Sequence, residues 1–220
     1  CKELTTLDFT TFDTSKVTDS SHMFDFITSS TTIYLNPKTW NIDVSSYSAK
    51  FIRVARYKYT IAKYTFDNTI ADCLPTITGA TTSQWGYGDV LDDTITTRTI
   101  GTDEELTITN ISFQNKTSLL TLDYLNFTNA ITNTMRMFSG CTALTSINAL
   151  NWDTSNVAYM DYMFHNCSSL TSLNTSNWNT SKVTGVGYTF SGCSALTTLD
   201  LGPAFTHIPN GKYKTREDCK

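Results

Sequence analysis

Charge is scarce in this chain. Lys, Arg, Asp and Glu make up 16% of the 220 residues, and the formal net charge is −4. A nucleic-acid-binding protein needs a basic face, and this balance argues against one. No uninterrupted apolar run of about 18 residues occurs, so no membrane-spanning helix is encoded in this chain. No C-x-x-C pair is present, which removes the common zinc signatures. Asp89, Asp92 and Asp93 offer oxygen ligands, but their spacing lacks the EF-hand pattern. A catalytic constellation is also missing. His22, His165 and His207 stand in dissimilar surroundings, with no Ser or Cys partner at a catalytic spacing. The expectation is a protein that is not an enzyme and carries no cofactor and no metal.

What is there is a repeat. Cys141-Thr-Ala-Leu144-Thr-Ser-Ile147 opens one copy, Cys167-Ser-Ser-Leu170-Thr-Ser-Leu173 a second, and Cys193-Ser-Ala-Leu196-Thr-Thr-Leu199 a third, at equal steps of 26 residues. An Asn-Trp pair follows (Asn151-Trp152, Asn177-Trp178), then Val157 or Val183, and the copy closes on Phe164 or Phe190. A fixed period of this size marks repeat architectures that stack one unit on the next. Leu and Ile alternating with polar residues predict a short strand. Asp153-Thr154-Ser155 suits the N-cap of a short helix, because its oxygens can accept orphan N–H groups. Val157, Met160, Met163 and Phe164 then form an i, i+3, i+6, i+7 stripe, the buried face of about two helical turns.

The same pattern spreads outward from this stretch. Residues 1–24 make a first copy, with Leu4, Leu7 and Phe9 inward and Val17, Met23 and Phe24 closing it. Residues 25–47 make a fainter one around Leu35 and Trp40. Residues 113–138 make a further copy, from Leu119 and Leu122 to Ile131, Met137 and Phe138. It is one residue short, since Lys116 stands 25 residues before Cys141, and the shortening falls near Phe127–Ala130. The predicted organisation is N-terminal repeats over 1–47, a block over 48–112, C-terminal repeats over 113–205, and a cap or linker over 206–220. The block over 48–112 ignores the period. It reads either as an inserted β-rich module or as degenerate coils. Within it, Tyr57, Tyr59 and Ile61 alternate with Arg56, Lys58 and Thr60, which predicts a strand with one basic face.

Cys1, Cys141, Cys167 and Cys193 hold the same place in their copies. Stacked copies put equivalent residues about 4.7–4.9 Å apart at the strands, so these predict a buried thiol column. For Cys1 a lipid-anchored cysteine is the other reading. Cys73 and Cys219 stand outside the repeat, and a disulfide between them would require an oxidising compartment.

At these residues the chain resembles the BspA-like leucine-rich-repeat surface proteins, whose unit runs C-x-x-L-x-x-L…N-W-(D/N)-T-S…V-x-x-M-x-x-M-F. The likeness is best over 141–201 and good over 113–140 and 1–24. Two copies lack the Cys, and the block 48–112 lies outside it. The resemblance implies a mainly β leucine-rich-repeat solenoid, with a strand and a short helical or 3₁₀ segment per coil. It also implies adhesion or binding at a cell surface rather than catalysis.

Outward strand positions are the candidate site. They are Thr6 and Asp8, Tyr34 and Asn36, Thr121 and Asp123, Ser146 and Asn148, Ser172 and Asn174, and Thr198 and Asp200. One row is largely hydroxyl and the next Asp or Asn, a regular polar face of the kind repeat proteins use for binding. Such groups donate and accept, which suits glycans or protein backbone. The alternative is a set of polar ladders that solubilise the sheet. A row of Thr5, Thr145, Thr171 and Thr197 also has the form of an ice-binding hydroxyl array, which the adjoining Asp/Asn row weakens. Trp85, flanked by Gly79, Gly86 and Gly88, reads either as an exposed aromatic anchor or as a core plug. Arg53, Arg56, Lys58 and Lys63 interleaved with Tyr57, Tyr59 and Tyr64 imitate a single-strand nucleic-acid platform. A solvated strand face fits the acidic chain better. The expected partner is a host or cell-surface protein or glycan, met outside the cell. The alternative is a virion or surface-layer component contacting sister subunits.

Overall fold

In the computed structural model the backbone ladders run between copies rather than along them. The structure describes residues 4–36, 39–53, 57–67, 74–81, 84, 86–87, 97–128 and 130–203. Cys73, Trp85, Asp89, Asp92, Asp93, His207 and Cys219 lie outside these residues, so the expectations placed on them do too. The protein is mainly β, with several small sheets.

Strands β1 (Thr6–Phe9), β2 (Thr32–Leu35) and β3 (Lys50–Arg53) form one parallel sheet in that order. β4 (Tyr59–Phe66), β6 (Gly86–Tyr87) and β7 (Thr97–Thr102) are antiparallel and join β9 (Leu119–Leu125), which in turn pairs in parallel with β10 (Ser146–Ile147). β5 (Thr76–Thr78) pairs with β8 (Asn110–Ser112), and β11 (Ser172–Asn174) pairs in parallel with β12 (Thr198–Asp200). The stretch 51–66 is therefore two strands in different sheets. Its alternation breaks at a bulge between Thr60 and Ala62, so that Ile61 and Ala62 are both buried.

The register carries the period. Ser172 lies beside Thr198, Leu173 beside Leu199 and Asn174 beside Asp200. Between the strands the same offset persists: the N–H groups of Met160, Tyr162, Phe164 and Asn166 donate to the carbonyls of Gly185, Gly187, Thr189 and Ser191 at 2.8–2.9 Å. Side chains stack accordingly. Phe113, Phe138, Phe164 and Phe190 form a column with ring centroids 5.6, 5.4 and 5.9 Å apart and ring planes nearly parallel. Phe127, Trp152 and Trp178 form a second, at 5.0 and 5.6 Å. Two apolar cores result. One is centred on Ile33, Leu35, Trp40 and Phe51, and the larger runs from Ile61 to Leu196.

The short helices are not there. Among the described residues no helix occurs. Val157, Met160, Met163 and Phe164 are buried as the stripe predicts, but they sit on successive tight turns. Met163 N–H bonds to Met160 O and Cys167 N–H to Phe164 O, each spanning three residues. The third residue of each turn, Tyr162 and Asn166, has φ of +58° and +60°, as a type II turn demands. Because alternate N–H groups go to the next copy, an i→i−4 ladder cannot form. Spacings of three and four satisfy a row of turns as well as a helix, which is why periodicity misleads here. The Asp-Thr-Ser segments are likewise turns. Asp153 Oδ1 accepts from Ser155 N–H at 3.0 Å, and Thr154 Oγ1 donates to Asn179 O of the next copy at 3.1 Å. The Ser155 hydroxyl and its backbone N–H hold the Asp153 carboxyl below its usual range. Of the three residues expected to close the first copy, Phe24 is buried, while Val17 and Met23 are exposed, against the expectation.

Left-handed residues recur at two places per copy. Arg136, Tyr162 and Tyr188 have φ of +58° and stand 26 residues apart. Four residues on, Gly140 and Gly192 take φ of +79° and +80°. A Cβ at Gly140 would collide with Asn115 Oδ1, and one at Gly192 with Asn166 Oδ1. Gly140→Ala and Gly192→Ala are each expected to lower the unfolding free energy by about 1–3 kcal/mol. Urea denaturation checks this, and unchanged midpoints would refute it.

Candidate binding face and cleft

The strands hold the candidate polar residues outward because their neighbours are needed inside. Leu122, Leu144, Leu170, Leu173 and Leu196 are buried, and the alternate positions Asp123, Ser146, Asn148, Ser172, Asn174, Thr198 and Asp200 are exposed. Thr121 pairs with Ser146, Ser172 with Thr198, and Asn174 with Asp200. The hydroxyl row is thus in register between β9 and β10, and both rows are in register between β11 and β12.

The N-terminal copies differ. Thr6 pairs with Thr32 rather than Tyr34, and Asp8 pairs with Tyr34 rather than Asn36. The expected rows slip there by two residues, because the observed pairing keeps the step of 26 whereas the expected one needed 28. The row ends at β9 too: Thr121 Oγ1 lies 2.7 Å from Thr65 Oγ1, since β4 covers that edge.

Most of the Asp/Asn row also does structural work. Asp8 Oδ1 accepts from Thr10 N–H at 2.9 Å, Asn174 Oδ1 from Ser176 N–H at 3.0 Å, and Asp200 Oδ1 from Gly202 N–H at 3.1 Å. These bonds close the turn after each strand. The Thr row behaves similarly. Thr145, Thr171 and Thr197 donate their hydroxyls to Leu120 O, Thr145 O and Thr171 O at 3.0, 3.3 and 2.9 Å. Their donor protons are committed along the ladder, which speaks against an ice-binding array.

Asp123 and Asn148 depart from the row. Asp123 Oδ1 accepts from Thr121 Oγ1 at 3.1 Å, and Asn148 Nδ2 donates to Asp123 O at 3.3 Å. Both line a cleft of about 260 Å³, with Tyr124, Asn126, Asn151 and Trp152. Sequence reasoning put Asp123 and Asn148 on the face but missed Tyr124, Asn126 and Asn151. The spacing did not single them out, since Phe127 still stacks on Trp152 and the shortening falls after it.

The cleft has a buried donor at its wall. Trp178 donates its indole N–H to Ala149 O at 2.8 Å, and Trp40 to Ile42 O at 3.2 Å. Trp152, only 4% exposed, has no acceptor for its own. The acceptor of Trp178 lies 29 residues back. The step between β9 and β10 is 25, so the counterpart of Ala149 is Tyr124, which borders the cleft.

Other expectations resolve as follows. Cys141, Cys167 and Cys193 are free thiols, and each donates to the carbonyl of a Phe in the preceding copy, Phe113, Phe138 and Phe164, at 3.0–3.1 Å. Burial pushes the Cys141 thiol up to about 12, the opposite of an activated nucleophile. Tyr64 is fully buried and packs edge-on against Phe113, so it cannot serve a nucleic-acid platform with the exposed Lys58 and Lys63. His22 is exposed and lies 2.6 Å from Asp25. Among the described residues no group of three His, Cys, Asp or Glu side chains could hold a metal. No helix among them is long and apolar enough to cross a membrane.

No match is found among curated proteins or among solved structures. A family described as "Mycoplasma protein of unknown function, DUF285" matches residues 1–74 and 108–202, taking in the parallel ladders and the whole cleft. That is well over half of the chain, so this protein belongs to the DUF285 family.

Proposed function

We propose that this chain is a non-catalytic binding module of a surface-exposed protein, engaging a host or cell-surface protein or glycan through its polar strand face. Its copies wind as successive coils of a leucine-rich-repeat solenoid of the BspA-like kind. The register of Ser172 with Thr198 and of Asn174 with Asp200, on exposed strand positions, carries this reading. A flat, rigid array of hydroxyls beside carboxylates and carboxamides is pre-organised, so little ordering cost falls on binding. The inter-copy bonds at Met160 to Asn166 support the coil arrangement. The coating of Thr, Ser and Asn fits an extracellular or cell-surface location.

A glycan-array and host-surface binding screen tests the proposal. Changing Asn148, Asn174 and Asp200 together to Lys replaces the amide and carboxylate row with long cations at exposed positions. Affinity is expected to fall at least about tenfold, ~1.4 kcal/mol or more. Binding that persists at full strength in the triple variant removes the strand face from consideration.

A further inference from the structure

We infer that the cleft between β9 and the Asn148–Trp152 turn is a subsite for one neutral sugar unit. The inference rests on the binding reading above and locates its ligand. Four groups at the cleft offer complementary hydrogen bonding: the Asp123 carboxylate and the carboxamides of Asn126, Asn148 and Asn151. All four residues are exposed. A carboxamide donates and accepts at once, and a carboxylate accepts from two hydroxyls, which is the pairing vicinal sugar hydroxyls require. Tyr124, 45% exposed, gives an aromatic surface for the C–H face of a pyranose.

The size and charge narrow the class. The cleft, about 260 Å³, is smaller than the usual drug-sized site of roughly 300–1,000 Å³. It suits a single ring of a longer glycan. No Lys, Arg or His lines it, and its one charge is negative. A sialylated or sulfated sugar would meet Asp123 without a compensating cation, so the ligand is neutral.

The independent observation is the Trp152 indole N–H. A buried donor with no acceptor costs about 1–3 kcal/mol, and native structures keep such groups for a reason. The equivalent donor in the next copy is satisfied by Ala149 O. The counterpart of Ala149 beside Trp152 is Tyr124, the Trp152 indole finds no acceptor there, and both residues line the cleft. A ligand hydroxyl oxygen at the cleft floor satisfies the donor. The indole nitrogen is buried, so reaching it requires a side-chain adjustment at the cleft, a common event on binding.

The full chain, isotope-labelled at the indole nitrogens of its four tryptophans, is titrated with lactose, maltose, cellobiose and chitobiose and followed by NMR. One resonance is assigned to Trp152 by its loss in Trp152→Phe. The expected result is a saturable shift of that resonance with at least one sugar. Asn151→Ala and Asn126→Ala should each weaken the affinity about tenfold, and sialyllactose should bind more weakly than lactose. Asn126 and Asn151 are exposed, so the unchanged remaining indole resonances report an intact fold. No saturable shift up to about 50 mM sugar, well beyond millimolar affinity, overturns the proposal. So does a shift that both Ala variants leave unaltered. Host-surface binding lost in Asn174→Lys but kept in Asn126→Ala and Asn151→Ala overturns the cleft alone and leaves the strand face standing.

Discussion

Trp178→Ala is expected to lower the unfolding free energy by about 3–5 kcal/mol, the largest single-residue effect in the protein. Trp178 is fully buried, stacks on Trp152 at 5.6 Å, and lies 6.4 Å from the Phe164 ring. Its loss opens a cavity between two copies whose backbones are held at ladder spacing and cannot collapse to fill it. A conservative pair isolates the hydrogen bond from the volume. Trp178→Phe removes the 2.8 Å indole bond to Ala149 O, leaving that carbonyl only the longer 3.3 Å bond from Trp152 N–H, whereas Trp152→Phe removes a donor that has no partner. The first should therefore cost more than the second, by roughly 1 kcal/mol or more. Equal urea midpoints for the two Phe variants would contradict the different roles assigned to these equivalent residues.

Alkaline pH should unfold the protein through its thiol column. Cys141 ionises near 9.0 when unfolded, and burial holds it at about 12 in the folded chain. The sign follows directly. Between these values the unfolded chain has lost the proton that the folded chain keeps, so rising pH favours unfolding. The stabilisation is complete below pH 9 and is lost as pH climbs toward 12. The slope from this group is about 1.4 kcal/mol per pH unit, so the total reaches roughly 4 kcal/mol. The adjacent Cys193 thiol, together with burial, pushes Cys167 up, but the same contact lowers Cys193, so the slope given is that of Cys141 alone. Tyr and Lys titrate in the same range, so the measurement is a comparison. Stability against pH from 8 to 12 should fall more steeply in the native protein than in Cys141→Ala. Parallel curves would mean that the thiol is not held protonated by the fold.

Much of this architecture was legible in the residues, and the reason is the step of 26. Equal spacing of Cys141, Cys167 and Cys193 meant equivalent places, and the structure gives each the same kind of carbonyl partner one copy back, with Cys141 and Cys167 buried and Cys193 partly so. Alternation around Leu122 and Leu173 placed Asp123, Ser172 and Asn174 outside, where they are. Three things were not legible. The Met160–Phe164 stripe fits turns and a helix equally, and only the inter-copy bonds distinguish them. The row slipped at Tyr34, because a degenerate copy can be aligned in more than one way and pairing decides which. Strand β3 joined the first parallel sheet while β4 turned back onto β9, although both came from one irregular block.

The sequence by itself determined which residues are equivalent: the thiols, the Trp and Phe columns, the polar strand positions, and the copy with one residue missing. Equivalence is a property of order along the chain, and order is what a sequence records. The tertiary structure alone decided what the exceptions do. Trp152 matches Trp178 in the repeat, yet one indole donor is satisfied and the other is not. That difference depends on which carbonyl the neighbouring copy brings within reach of the indole, which is a matter of distance across the ladder and not of order along it.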